Sequence, residues 1–231
     1  SLYSSGNIDV HDVFKTQEHG YAIGTGLPWK TVFKKMLDQL LFKDGGGITI
    51  NHPVWSGLSV EQAIEMLDFD SRVMGIEVFN DTCFTAFGHP EQGWALKFWD
   101  SILKTKRRCL GFFVPDHQVG LGRNLLLVPR FTEYECLKAY RKGAFFGALT
   151  GGGVMFTEIL LSDNVLKIAL NNPAAIRIVT DAGQAQRSNG KEASFRIPLN
   201  EKGISAISYV RVEAADENSE QIFSQPIRFL S

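Results

Sequence analysis

Three apolar segments of this chain end in side chains that bind metal ions. Gly47-Ile48-Thr49-Ile50-Asn51 runs into His52-Pro53. Cys109 to Pro115 runs into Asp116-His117. Gly75-Ile76 runs into Glu77 and continues through Val78-Phe79-Asn80. Imidazole and carboxylate are donors that zinc, manganese and iron accept. Such an ion lowers the pKa of a bound water toward neutrality and neutralises charge on a phosphate. Metal-assisted hydrolysis is therefore the expected chemistry, with His19, His52, Asp116 and His117 as ligand candidates. Glu77 is either a further ligand or a group that orients one. Each has a plainer reading. His52 is alternatively a hydrogen-bonded structural histidine, and Asp116 a turn or cap carboxylate. Adjacent side chains at a strand end diverge, which sets His117 against Asp116. Arg123, in Gly120-Leu121-Gly122-Arg123, is a candidate contact for substrate phosphate or an ordinary exposed loop arginine.

Strand ends meet only when the strands are parallel neighbours, because an α/β sheet gathers its carboxyl ends around one crevice. The pattern between the segments suits that arrangement. His19 to Gly24 reads as a short strand, and Pro28 opens a helix where its missing N–H does no harm. Val32, Phe33, Met36, Leu37, Leu40 and Leu41 form its apolar face. Ser59 and Gln62 make a capping box ahead of a second helix. A third is expected from Glu91 to Lys104, carrying Trp94, Phe98, Trp99, Ile102 and Leu103 inward. Asn124 to Val128 is a strand. Thr132 and Glu135 make another capping box, and Gly143 ends that helix. Alternating strands and helices predict a parallel sheet or barrel.

The pattern changes at Leu149-Thr150-Gly151-Gly152-Gly153. Beyond it the helical period disappears. Phe156–Leu161 and Val165–Leu170 flank Ser162-Asp163-Asn164 like a hairpin. Ala175–Val179, Ser194–Leu199, Tyr209–Ala214 and Ile227–Leu230 read as further strands. The expected organisation is an α/β barrel portion over 1–150 and a β-rich, sandwich-like domain over 151–231.

Composition is that of an ordinary globular chain: 231 residues, 44% hydrophobic and 21% charged. The net charge of -1 gives no pull toward nucleic acid or membrane surfaces. Lys104-Thr105-Lys106-Arg107-Arg108 is the one basic cluster, a solvated helix end or a phosphate-recognition patch. Cys83, Cys109 and Cys136 include no CxxC pair, so neither a zinc knuckle nor a disulfide framework is expected. Buried thiols suit a reducing compartment, and a cytoplasmic location is expected. No apolar run is long enough for a membrane span, and Ser1 to Gly6 lacks the character of a signal peptide.

Taken together, these residues resemble the PHP (polymerase and histidinol phosphatase) family of metal-dependent phosphoesterases. Gly46 to Pro53 is similar to its strand ending in His-Pro. Gly75 to Asn80 is similar to its Gly-Ile-Glu-Val-hydrophobic-Asn strand, and Trp99-Asp100-Ser101-Ile102-Leu103 to its Trp-Asp-x-Leu-Leu helix. Asp116-His117 falls where the family has its last metal motif. Thr132 to Phe146 resembles the Thr-x-x-x-x-Leu-x-Ala-x-x-x-Gly-x-Phe-Phe segment that follows. His19 resembles the ligand of a His-hydrophobic-hydrophobic-Ala-hydrophobic-Gly strand. The resemblance covers residues 17 to 150. It implies a distorted (β/α)7 barrel, partial here, a two- or three-metal cluster, and hydrolysis of small or oligomeric phosphate esters, with His19, His52 and Asp116 at ligand positions.

Two departures matter. The family opens with His-x-His, and this chain contains none. Its last motif is Asp-x-His, whereas here Gln118 stands where the second ligand would be, and an amide oxygen is a poor replacement for imidazole. Two functional expectations therefore stand side by side. One is a metal-dependent phosphoesterase. The other is a degenerate relative that keeps the fold as a binding or scaffold protein, with the β-rich module as its interaction surface. A partial barrel exposes sheet edges, so a homo-oligomer is expected as well.

Overall fold

The structure, a computed structural model, describes residues 22–23, 27–85, 90–116, 120–149 and 151–229. Strands β1 (Ala22–Ile23) and β2 (Leu27–Pro28) pair with each other and lead into helix α1 (Trp29–Asp38). Strand β3 (Ile48–Ile50), helix α2 (Val60–Phe69) and strand β4 (Val73–Asn80) follow. Next come the short helix α3 (Asp81–Thr85), helix α4 (Leu96–Leu103) and strand β5 (Leu110–Val114). Strands β3, β4 and β5 make a three-stranded parallel sheet. The capping box forms as expected: the Ser59 hydroxyl accepts from the Gln62 amide and the Gln62 side chain accepts from the Ser59 amide. This fixes where α2 starts and so where β4 begins.

The parallel pattern stops at β5. Strand β6 (Gly122–Leu126), helix α5 (Glu133–Lys142) and strand β7 (Phe145–Leu149) come next, and β6 and β7 pair antiparallel. The remaining strands are β8 (Phe156–Ser162), β9 (Val165–Thr180), β10 (Gly183–Arg196), β11 (Tyr209–Ala215), β12 (Gln221–Phe223) and β13 (Ile227–Arg228). They join β6 and β7 in one eight-stranded sheet of order β10-β9-β11-β12-β7-β6, with β13 on β11 and β8 on β9. The sheet is antiparallel and curls into a half-barrel.

This corrects the expected (β/α)7, TIM-like barrel and the sandwich-like β domain. Of the described residues, 41% are strand and 24% helix, with five α-helices. The physical reason lies in the connection from β5 to β6. A parallel crossover needs a dozen or more residues and usually a helix. The segment between Val114 and Gly122 is far shorter, so the chain turns back. After β7 no helical face is available among the described residues to cover a second parallel layer, and the strands pair antiparallel, some with sequence neighbours (β8–β9, β9–β10, β11–β12) and others across longer connections (β7–β12, β9–β11, β11–β13). The β8–β9 hairpin turns through Asp163 and Asn164, both left-handed (φ 51 and 60), the backbone that a two-residue hairpin turn demands.

One core lies between the parallel sheet and helices α1, α2 and α4, built on Trp29, Phe33, Ile50, Met66, Ile76 and Trp99. It also takes in Tyr209 and Phe223 from the antiparallel sheet. Phe223 stacks on Phe113 at a centroid distance of 4.6 Å. Asp100 on α4 receives two bonds of 2.9 Å from the buried Arg211 guanidinium and one of 2.9 Å from the Tyr209 hydroxyl. The open edge of β5 is finished by side-chain amides. Gln225 accepts from the Gly111 amide (2.9 Å) and donates to its carbonyl (2.8 Å), and Asn124 accepts from the Phe113 amide (3.0 Å).

Candidate functional site at the mouth of the parallel sheet

Among the described residues, six of the ten buried polar or charged ones, Thr49, Ser56, Glu77, Asn80, Asp81 and Thr82, gather around the carboxyl ends of β3 and β4. Core packing cannot explain that concentration, because burying a polar group is costly unless it is bonded. The cluster is instead a connected network. Glu77, 5% exposed, accepts a 2.8 Å bond from the backbone amide of His52 and a 2.9 Å bond from the Asn80 side chain. The same Asn80 amide nitrogen donates to Asp116 at 3.2 Å, while its oxygen accepts from the Cys83 amide at 2.9 Å. One asparagine therefore links the ends of β4 and β5 and the start of α3.

His52 and Asp116 both have left-handed backbones, with φ of 27 and 64. That region is sparsely populated by residues other than glycine, and His52 is further constrained by Pro53. Strain of this kind persists where the surroundings over-determine it, and it collects at functional sites. Here the bond from the His52 amide to the Glu77 carboxylate holds one position and the bond from Asn80 to Asp116 holds the other. The His52 ring is oriented through Nδ1, 2.9 Å from the buried Ser56 hydroxyl, and packs edge-on to Trp55. A second-partner bond at one ring nitrogen is how ligating imidazoles are usually fixed. Asp116 is exposed at the strand mouth.

Asp81 and Ser56 are members of the site that sequence reasoning missed. Asp81 directly follows Asn80, is 3% exposed, and uses Oδ2 to accept from the Leu121 amide at 3.2 Å. Its Oδ1 is buried with no hydrogen-bond partner among the described residues. Gly120 lies against this carboxylate so closely that a Cβ there would fall 1.9 Å from Oδ2. The signal was present in Asn80-Asp81, two polar residues where the mostly apolar strand β4 passes into α3. The partner at Gly120–Leu121 is distant in sequence and left no local trace.

Of the remaining candidates, Arg123 is exposed on β6 opposite Ala148, and among the described residues its side chain makes no hydrogen bond or ion pair. His19, His117 and Gln118 lie outside the described residues, as do His11 and His89. The structure therefore brings together His52, Glu77 and Asp116 through Asn80. The expectation of a metal centre needs correction on this point. Among the described residues no group of three or more His, Cys, Asp or Glu side chains is placed to hold an ion. Glu77 is turned to the His52 backbone and to Asn80. His52 and Asp116 suit a divalent ion in kind. Cys83 and Cys109 are buried free thiols, and burial pushes the Cys109 pKa far up, so it is an inert core residue. Among the described residues no helix is long and apolar enough to cross a membrane.

No protein-family model matches the sequence, and comparisons with curated proteins and with solved structures give no match.

Proposed function

We propose that this chain is a PHP-like phosphoesterase relative whose reaction centre is the mouth of the β3–β4–β5 sheet. The observation that carries the reading is the paired left-handed backbone at His52 and Asp116, two potential ligands held at the ends of β3 and β5, on either side of β4, by Glu77 and Asn80. A structural polar cluster has no need of strain at both positions. In this reading His52 and Asp116 bind a divalent metal (zinc, manganese or iron) together with donors from outside the described residues, His19 and His117 being the candidates. The bound ion supplies an acidified water and charge neutralisation for a phosphate ester. The chain's own residues do the positioning. Ser56 orients the imidazole, Glu77 fixes the His52 backbone, and Asn80 holds the Asp116 carboxylate. A cytoplasmic location goes with this reading, since Cys83 and Cys109 are buried free thiols.

A second reading has its own support. The Asn80 amide sits between the Glu77 and Asp116 carboxylates and donates to both. A neutral donor there does part of what a cation would do, which suits a chain that retains the site's scaffold for binding without hydrolysis. Elemental analysis of the purified chain and of Asp116→Ala separates the two. Stoichiometric zinc, manganese or iron that falls in the variant, with hydrolysis of a chromogenic phosphate ester, supports the phosphoesterase. Less than roughly 0.1 equivalent, with no uptake on titration, supports the binding protein. Equal metal in both proteins removes Asp116 as a ligand.

A further inference from the structure

Strand β8 forms an edge of the antiparallel sheet. Among the described residues β9 is its only partner, which leaves the N–H and C=O groups along its other side unpaired. Such an edge invites a further strand, and proteins ordinarily blunt it with charges, bulges or a cover. Two other edges of this sheet are blunted in those ways. Residues Gly183 to Ser194 of β10 include no large apolar side chain, carry Arg187, Lys191 and Glu192, and shift register twice, between Gln184 and Gln186 and between Gly190 and Glu192. On β6, the Asn124 side chain binds the Phe113 amide of β5.

Strand β8 lacks these defences. Its register with β9 shifts only between Phe156 and Glu158 and runs regularly from Glu158 to Ser162, an unbroken edge about 17 Å long. That stretch holds Ile159-Leu160-Leu161 with a single charge, Glu158. Three of the nine exposed large apolar side chains among the described residues fall on or just before β8: Met155 (41%), Leu160 (45%) and Leu161 (37%). A short apolar segment of low charge without Pro or Gly is the kind that pairs with its own copy. The match is good here. Set antiparallel to a second β8 and centred on Leu160, the strand places Leu160 opposite Leu160, Ile159 opposite Leu161 and Glu158 opposite Ser162. The two Glu158 carboxylates then stand at opposite ends of the pairing. Cross-strand pairs share a face, so Ile159 and Leu161 lie on the face of their β9 partners Ile168 and Leu166, both buried. The pairing extends that apolar core into the second copy.

We propose that two copies of this chain associate through β8, antiparallel about a two-fold axis, in one continuous sheet of order β10-β9-β8-β8-β9-β10. The contact uses the same patch on both copies and closes on itself, so it stops at a dimer. A single strand pair is smaller than a standard-size interface, and Asp163, bonded to Ser162, adds a carboxylate near the incoming Glu158. Association in the micromolar range is therefore expected. The interface is separate from the His52–Asp116 cluster and does not depend on any reaction there.

Sedimentation velocity of the purified chain over a concentration series tests the proposal. The sedimentation coefficient is expected to rise with concentration toward that of a dimer. Leu160→Lys sets two ammonium groups opposite each other at the two-fold axis and should weaken dimerisation roughly tenfold or more. Gln184→Lys, the same charge change on β10, should leave it unchanged. Leu160→Cys treated with diamide should give a covalent dimer that the wild-type chain, treated alike, does not. All three variants are checked for native circular dichroism. A wild-type chain that stays monomeric at every concentration overturns the proposal and leaves the edge to an extended segment of another protein. A dimer untouched by Leu160→Lys, one weakened equally by Gln184→Lys, or absence of the Leu160→Cys cross-link overturns it as well.

Discussion

Replacing Asp116 by glycine and by alanine separates the two things this residue does. Both substitutions remove the carboxylate and the 3.2 Å bond from Asn80. A part-buried bond of that length contributes about 0.5–1.5 kcal/mol. Only alanine keeps a Cβ at φ 64, where an L-residue costs roughly 1–2 kcal/mol and glycine costs nothing. Aspartate tolerates this region better than alanine does. The glycine variant should therefore lie close to the wild type, because relief of strain offsets the lost bond. The alanine variant should lie about 1 kcal/mol below the glycine variant. Equilibrium urea unfolding followed by circular dichroism measures both, with unchanged denaturant slopes as the check that the comparison is valid. Alanine as stable as glycine would mean that the strand end is not strained, and the central argument for a functional site would fall. Metal uptake should be lost in both variants alike, whatever their stability.

Three further outcomes are expected. Arg211→Met should cost about 3–5 kcal/mol in urea unfolding, since it leaves both Asp100 and the buried Glu213 without its guanidinium, and Asp100→Leu in the same chain should recover only part of the loss; a loss under about 1 kcal/mol would show that the seam between the sheets does not rest on this guanidinium. Gly75→Ala should destabilise by more than about 3 kcal/mol or prevent folding, because its Cβ would fall 1.9 Å from the Leu110 carbonyl oxygen in the adjoining strand; a stable variant would contradict the β4–β5 register. The bond from Arg72 holds the Asp70 carboxyl below its ordinary range. A depressed carboxyl stabilises above its unfolded pKa and loses that contribution as pH falls through the folded value, so the gap between wild type and Asp70→Asn should be full near neutrality and close below about pH 4; a gap that widens in acid would reverse the assignment.

What could be read from the sequence was local. Ser59 and Gln62 announce a helix start within four residues, and both bonds form. The strands ending at His52 and Asp116 and passing through Glu77 do lie side by side. The helix expected from Glu91 begins at Leu96, because Trp94 is drawn into a bridge with Phe79 and the Ala95 amide bonds the Val78 carbonyl. Val165–Leu170 and Ala175–Val179 read as two strands but form one. Between them, near Pro173, the partner strand shifts register across Gly190 and Glu192, and a residue without an N–H is tolerated there. The reversal after β5 and the Asp81 contact with Leu121 are set by distant partners, for which periodicity holds no information.

The Gln225 amide that closes the edge of β5 has a consequence for how the protein is made. Its partner Gly111 precedes it by 114 residues, so during synthesis the parallel sheet waits with an open edge until nearly the whole antiparallel sheet has been translated. Contacts of such separation form late and slowly. In that interval β5 presents unpaired N–H and C=O groups to any extended chain nearby, which is the circumstance in which nascent sheets mispair. The strand mouths that carry His52 and Asp116 would then be among the last parts of the molecule to reach their final geometry, set only when Phe223 closes over Phe113 and Gln225 docks beside it.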